Sequence, residues 1–410
     1  MHDTEPDQHG SVSRSWSIAA IAFVGGVGGG VVFPILPVIG IDLGISGFMV
    51  GLILSANRIT RLGFNPVTGS LIDRFGSRWP VAAGLMIEAL GTLAFSAALS
   101  SHTPSAWFLA GRVVWGVGSS LLLVGTLAAV MAIAPSQRRG SMVARVRTAI
   151  SLGLPAGLVI GGLIADRISA NAAFLTATGL SVADAIAAIF VLPVHAQWRK
   201  PADASQRARH WSVDWRELLH IPVMRLIWST NALLFFAMSG VLLATLALVV
   251  QHRGLDIFGL GAEGSAGLYM AAMMAARASA ALASGSYLDR VTSRTSLLLP
   301  SMLMVAGGFV ALGLAQHVSI LLLGLLLIGA GSGSLTIPLL TLLGDAAPRH
   351  LHGRALSIYQ WSSDLGGAVG PAAGLESGGL FGYDITYAVV GLMMLAMAVP
   401  LRLLIANNRQ

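Results

Sequence analysis

The chain has 410 residues, 55% of them hydrophobic and only 10% charged, with a mean hydropathy of +0.77. Soluble globular proteins carry about 25% charged residues, so a soluble core cannot hide this much apolar surface, and lipid is the expected solvent for most of the chain. The net charge of +7 would suggest nucleic acid in a soluble protein but has a topological use here, and the absence of cysteine excludes disulfides, thiolate metal sites and cysteine nucleophiles.

In chain order, residues 1–15 are polar and read as a disordered cytoplasmic tail. Six runs of about 20 mostly apolar residues, the length of a membrane helix, follow at 16–39, 47–70, 81–101, 106–132, 142–166 and 171–194. The first run is too long for a signal-peptide core and no small-residue cleavage site follows it, so it is expected to remain. Residues 195–220 carry mixed charge and three tryptophans, and read as a cytoplasmic linker with a short amphipathic helix on the membrane surface. Six more runs lie at 221–250, 263–287, 296–316, 319–344, 355–379 and 385–405, leaving 406–410 as a cytoplasmic tail. The expected fold is an all-α membrane protein of twelve spans in two six-helix bundles, 16–194 and 221–405.

An even number of spans puts both termini on one side. Of the 25 Lys and Arg, only Arg167 and Arg253 fall in odd-numbered loops, and Arg58, Arg61, Arg112 and Arg277 fall inside spans. The rest cluster in the termini, in even-numbered loops or at helix ends beside them. The positive-inside rule therefore predicts cytoplasmic termini and a multi-pass protein of the cell membrane.

The chain also repeats itself. "GSLIDRFGSR" from Gly69 and "GSYLDRVTSR" from Gly285 each join a second span to a third. Further on, Gly111, Gly116, Gly118, Gly153, Gly157 and Gly161 align without a gap on Gly324, Gly329, Gly331, Gly366, Gly370 and Gly374. Two matching six-span halves are the mark of a transporter built from parallel repeats. Glycines four residues apart let helix backbones approach closely, which makes Gly153, Gly157, Gly161, Gly370 and Pro371 candidate packing residues.

These residues resemble the major facilitator superfamily. Gly69, Asp73, Arg74, Gly76 and Arg78 stand where its loop signature expects them, and "RVVWGVG" is similar to its span-4 motif through Arg112, Gly116 and Gly118. "FPILP" and "GLPAGLVIGG" resemble the drug:proton antiporter type, with Leu158 in place of the motif's proline. The resemblance implies that the loop, with Asp289 and Arg290 in its second copy, acts as a gating latch on the cytoplasmic side. One departure is that Gly25 stands where many such antiporters carry an acid in span 1.

A charge inside a span costs about 2.5–3.5 kcal/mol on insertion scales, so each needs a reason. Arg58, Arg61 and Asn65 share one helical face, which should point into the bundle. Arg61 and Arg277 occupy equivalent positions in the two halves and suit a shared scaffold. Arg58, Arg112 and Asp364 align on Met274, Leu325 and Ser151, so these one-sided charges are the better candidates for substrate or proton. Asp364 is the first candidate for the proton. Glu88 is the second, because the resemblance implies a third span toward the outside of the bundle.

No nucleophile–base set, nucleotide loop or metal-ligand spacing is present in the sequence, so no enzyme, cofactor or metal is expected. The expected activity is alternating-access secondary transport, the proton-coupled efflux of small amphipathic or organic compounds by a monomer. The alternative is transport of an organic anion or metabolite in either direction, held by Arg58 and Arg112. A non-transporting membrane receptor or scaffold is the reading least supported.

Overall fold

A computed structural model describes residues 8–135, 138–193, 218–288, 290, 295–348 and 351–407. Its helices in chain order are α1 (Gln8–Asp42), α2 (Gly47–Phe75), α3 (Arg78–Ala98), α4 (Pro104–Ile133), α5 (Arg139–Arg167) and α6 (Ala170–Val191). Then come α7 (Pro222–Arg253), α8 (Ala262–Leu288), α9 (Leu298–Gly313), α10 (Val318–Ala346), α11 (His352–Phe381) and α12 (Tyr383–Asn407). No strand occurs among the described residues.

Nine of these helices are long and apolar enough to cross a membrane. Of the others, α9 has only 16 residues, and α2 and α11 are long but interrupted by polar and charged side chains. The first helix starts at Gln8, ahead of the expected first span, and Ser15 in that extension is buried. Of the linker only residues 218–220 are described, so its expected amphipathic helix lies outside the described residues.

The chain divides into two compact units, one of residues 1–46 and 52–200, the other of 47–51 and 201–410. Lipid is as apolar as leucine, so helices in it are held by close contact rather than by escape from solvent. In the N-terminal unit the glycine run of α1 supplies that contact against α5. A Cβ on Gly26 would stand 2.9 Å from the Ile150 carbonyl oxygen, and one on Gly161 would stand 2.6 Å from the Val31 Cα. Gly157 abuts the Val27 carbonyl, and a Cβ there would also lie 3.0 Å from the Gly30 Cα. Between α3 and α4, Gly91 opposes the Gly111 carbonyl oxygen at 2.7 Å from its own Cβ position.

The C-terminal unit repeats these pairings. Gly240 of α7 and Gly370 of α11 face each other backbone to backbone, and Gly374 lies against Val241. Gly308 of α9 opposes the Gly324 carbonyl oxygen of α10, again 2.7 Å from the Cβ position. Opposite Gly370 and Pro371, α7 widens into a π-helical stretch, Phe236–Leu242. Pro371 has no N–H to give its own helix, so both partners depart from regular bonding at one level.

Arg253, one of two basic residues in the odd-numbered loops, ties down an end of this unit. Its guanidinium donates to the carbonyls of Leu312 (2.7 Å), Ala315 (2.8 Å) and Gly313 (3.1 Å) at the end of α9, and it pairs with Asp384 at the start of α12. The last carbonyls of a helix lack partners within it, and a cation there is favourable.

The glycine contacts predict a size limit. Gly157→Val should lower stability in detergent by about 1–3 kcal/mol, the usual cost of overpacking, because the atoms it meets are backbone. Gly69→Ala should leave the melting temperature unchanged, since a Cβ there meets nothing within 4 Å. Equal melting of the two variants would refute the close-contact account.

Candidate functional site

The repeated loop begins within α2, whose last residues include Gly69, Asp73 and Arg74. Gly76 ends the helix with φ +74, a left-handed conformation that favours glycine, while its N–H donates to the Ile72 carbonyl at 2.8 Å. Arg78 opens α3, and its Nε donates to the Leu192 carbonyl at 2.6 Å, satisfying the end of α6. Arg78 thus has a structural task inside its own unit. Asp73 and Arg74 are exposed, the Arg74 guanidinium lying 5.1 Å from the Phe75 ring centre. Among the described residues no hydrogen bond or ion pair engages Asp73. In the second copy Arg290 is exposed, and Asp289 lies outside the described residues.

Arg112 is completely buried in the N-terminal unit. Its Nη2 donates to the Leu54 carbonyl (3.2 Å) and to Asn57 Oδ1 (3.0 Å), both on α2. The guanidinium sits 5.5 Å from the Trp115 ring centre and 5.7 Å from that of Phe33 on α1, within cation–π range. Its Nε and Nη1 are buried without hydrogen-bond partners among the described residues. The charges acting on it are two more cations, Arg58 and Arg61.

Arg58 and Arg61 thus lie near Arg112, and they and Asn65 occupy half-buried positions. Asn65, lower on the same helix, accepts from Ser120 at 2.7 Å, and Ser120 in turn accepts from Thr68 at 2.7 Å. Asn57, which orients Arg112, precedes the Arg58–Arg61–Asn65 stripe and was missed by a search for charges alone.

In the C-terminal unit Asp364 is buried on α11 beside Ser362 and Ser363. One turn away, Asn231 of α7 donates to the Tyr359 carbonyl (2.8 Å) and to Ser362 Oγ (2.9 Å), with its own Oδ1 left unbonded. Arg277 of α8 lies 5.2 Å from the Phe235 ring centre. The spaced glycines of α11 and the Asn231 hydrogen bonds therefore meet at the α7–α11 seam.

Glu88, the second candidate for the proton, is buried on α3. On α3, Met86, Leu90 and Leu93 are exposed and form the outer face, while Leu85, Glu88, Thr92 and Phe95 are buried. Glu88 points into its bundle and not toward lipid, even if its helix is peripheral. Asp184, in the sixth span, is also buried. No group of three or more possible metal ligands occurs among the described residues.

A buried cation retained for scaffold alone and one retained for function predict different melting data. Asn57→Leu leaves Arg112 buried with less compensation and should cost about 1–3 kcal/mol. Arg112→Met removes the charge and should cost less than Asn57→Leu, since an apolar replacement of a buried charge is often neutral or stabilising. A larger loss for Arg112→Met, measured by thermal melting in detergent, would make Arg112 a structural residue.

Comparison with known proteins bears on the family and the fold. The family model described as Major Facilitator Superfamily matches residues 18–371 and 258–410. "Multidrug resistance protein 2" of Bacillus subtilis (strain 168) is 29% identical over 170 residues, which is 42% of this chain and 41% of that protein. "Quinolone resistance protein NorA" of Staphylococcus aureus is 27% identical over 166 residues, 40% of this chain and 42% of the relative. The chain thus matches less than half the length of these curated relatives. The crystal structure of nucleoside transporter NupG superposes with a TM-score of 0.79 at 11% identity, covering 95% of this chain and 98% of that one. A bacterial homolog of the human lysosomal transporter Spinster, inward-facing and unoccupied, gives 0.74 at 14% identity over 97% and 95%. Identities this low speak for the fold alone. With a family model matched along nearly its whole length, the chain belongs to the Major Facilitator Superfamily, a family of membrane transporters and not of enzymes.

Proposed function

We propose that this protein is a secondary transporter that works by alternating access and exports small amphipathic or organic compounds in exchange for protons. The observation that carries the reading is Arg112, wholly buried between two aromatic rings with two N–H arms unbonded among the described residues. Aromatic walls suit an apolar body, and a guanidinium suits an electron-rich or negative group. The resistance proteins among its relatives favour the export of such compounds.

A second reading has its own support. Three guanidiniums gather in one unit, Arg58, Arg61 and Arg112, and convergent arginines suit an organic anion better than a cationic drug. Inverted membrane vesicles under an imposed pH gradient separate the two. Uptake of ethidium, an amphipathic cation, with none of carboxyfluorescein supports drug export, and the reverse result supports the anion. Uptake of both fits a broad exporter, and uptake of neither under any gradient rejects proton-driven export.

In this scheme the loop of Gly69, Asp73, Arg74, Gly76 and Arg78 gates the cytoplasmic side, with Asp73 as its acceptor, unbonded among the described residues. Asp73→Asn should abolish transport in the same vesicles while the protein reaches the membrane in normal amount; normal transport would remove the gating role. Asp364 is the proton carrier expected in the C-terminal unit. Asp364→Asn should abolish gradient-driven uptake and leave energy-independent exchange intact.

Cytoplasmic termini make a separate prediction. The cysteine-free chain allows single cysteines at exposed Ser141, before the apolar stretch of α5, and His102, before α4. A membrane-impermeant maleimide should label Ser141→Cys only from the cytoplasm and His102→Cys only from outside, and the opposite pattern would invert the topology.

A further inference from the structure

Two carboxyls are buried in the N-terminal unit, and the proton path proposed above, through Asp364, uses neither. Glu88 of α3 is wholly inaccessible, with both Oε1 and Oε2 unbonded among the described residues. Asp184 of α6 is buried on the face shared by Ala177, Ser181 and Ala188, with its Oδ2 unbonded. The helices that carry them are joined one turn from Glu88, where Thr92 and Thr178 hydroxyls bond at 2.8 Å. The Glu88 side chain crosses α4 at Gly118, where an added Cβ would stand 2.7 Å from its Cγ.

Among the described residues no ion pair engages either acid. Asp184 is the charge that acts on Glu88. From α4, the nearest cation along the helix is Arg112, which is turned to α2 and acted on by Arg58 and Arg61. From α1, which packs against α3, α4 and α6, no Asp, Glu, Lys, Arg or His occurs between Trp16 and Ile41. From α5, which packs against α6, the charged side chains stand toward its two ends. Arg139, Arg145 and Arg147 open it, with Arg145 bonded to Ser15 and lying over the Trp16 ring, and Asp166 and Arg167 close it. Two bare carboxylates cannot share such a place without a partner, because an isolated buried charge neutralises instead. A proton held between the two acids satisfies both: one oxygen gains a hydrogen to give, and the other becomes its acceptor.

We propose that Glu88 and Asp184 together bind one exchangeable proton, forming a proton site in the N-terminal unit distinct from Asp364. Binding converts a pair of carboxylates and one H+ into a carboxylic acid hydrogen-bonded to a carboxylate, and release returns that H+ to water. Release leaves one more negative charge in the unit that also holds Arg58, Arg61 and Arg112. One helix, α4, meets both the acid pair and the arginine cluster. Trp115, stacked on Arg112, and Gly118, pressed on Glu88, occupy neighbouring positions one helical turn apart on α4. A substrate that draws on Arg112 thereby acts next to the proton, which gives the coupling a short route. That coupling rests on the proton-driven export proposed above; the proton site itself does not.

The test uses the full-length protein in lipid vesicles. Infrared spectra recorded across a pH titration in water and in deuterium oxide read the carbonyl band of buried carboxylic acid. Wild type should show a deuterium-sensitive band that Glu88→Gln removes and Asp184→Asn shifts, both being neutral replacements of matching shape. A spectrum without that band, or one unchanged in both variants, overturns the site. In parallel, a pH gradient should drive ethidium or carboxyfluorescein uptake in wild type and fail to do so in Glu88→Gln, with exchange of the same dye retained. Undiminished gradient-driven uptake in Glu88→Gln overturns the coupling. If wild type transports neither dye under any gradient, the proposed export is what fails, and the infrared bands still decide the site.

Discussion

Close backbone contact at glycine is the interaction on which the rest of this molecule depends. A helix in lipid gains nothing by hiding apolar side chains from apolar surroundings, so association rests on dispersion, which falls steeply with distance. The glycines of α1 and α5 bring two backbones to where no other residue would fit, and α7 and α11 do the same in the second unit. The stretch "GGVGGG", which could be mistaken for a nucleotide loop, is one side of such a seam. Removing side chains from a helix face forfeits their own contacts, and the approach of the opposite backbone restores them.

Once the seams are formed, the interiors have room for a limited set of polar groups, and most of these find partners close by. Serines and threonines satisfy themselves on carbonyls one turn back, as Thr126 does on Leu122 and Thr245 on Val241. Arg78 and Arg253 direct their donors to carbonyls at helix ends, where backbone acceptors are free in any case. Arg112, Glu88 and Asp184 are different. Each is buried with polar atoms that find no hydrogen-bond partner among the described residues. Groups that cost stability without returning it locally are the ones to connect with function.

The parts of this arrangement that were legible in the sequence are those written with a period or a repeat. Long apolar runs announce the spans, and glycines at matching spacing in both halves announce the seams, because spacing along a helix is spacing in space. Arg112 was legible too, since a charge inside an apolar run must be accounted for. The pairing of Glu88 with Asp184 was not. Two whole helices, α4 and α5, separate them in the chain, and neither carrier's own pattern says which neighbour its buried face meets. The inward direction of Glu88 could have been read from Met86, Leu90 and Leu93, which put lipid-facing bulk on the opposite side of α3. Asn57 escaped because an amide carries no charge to flag it, although its Oδ1 is what aims Arg112.

The two units use one packing scheme and two different charge sets, and that combination bears on mechanism. The glycine seams pair α1 with α5 and α7 with α11, α3 with α4 and α9 with α10. If polar burial served the scaffold alone, it would follow the same duplication. Arg61 and Arg277 do follow it, and they suit a structural role. Arg58, Arg112, Glu88 and Asp184 have no charged counterparts at the aligned positions, and neither does Asp364. The exchange of two different cargoes proposed above would need sites that are unlike each other on a frame whose halves are alike. The frame is alike in both halves where a glycine lets the opposite backbone approach, while the buried charges are where the halves diverge.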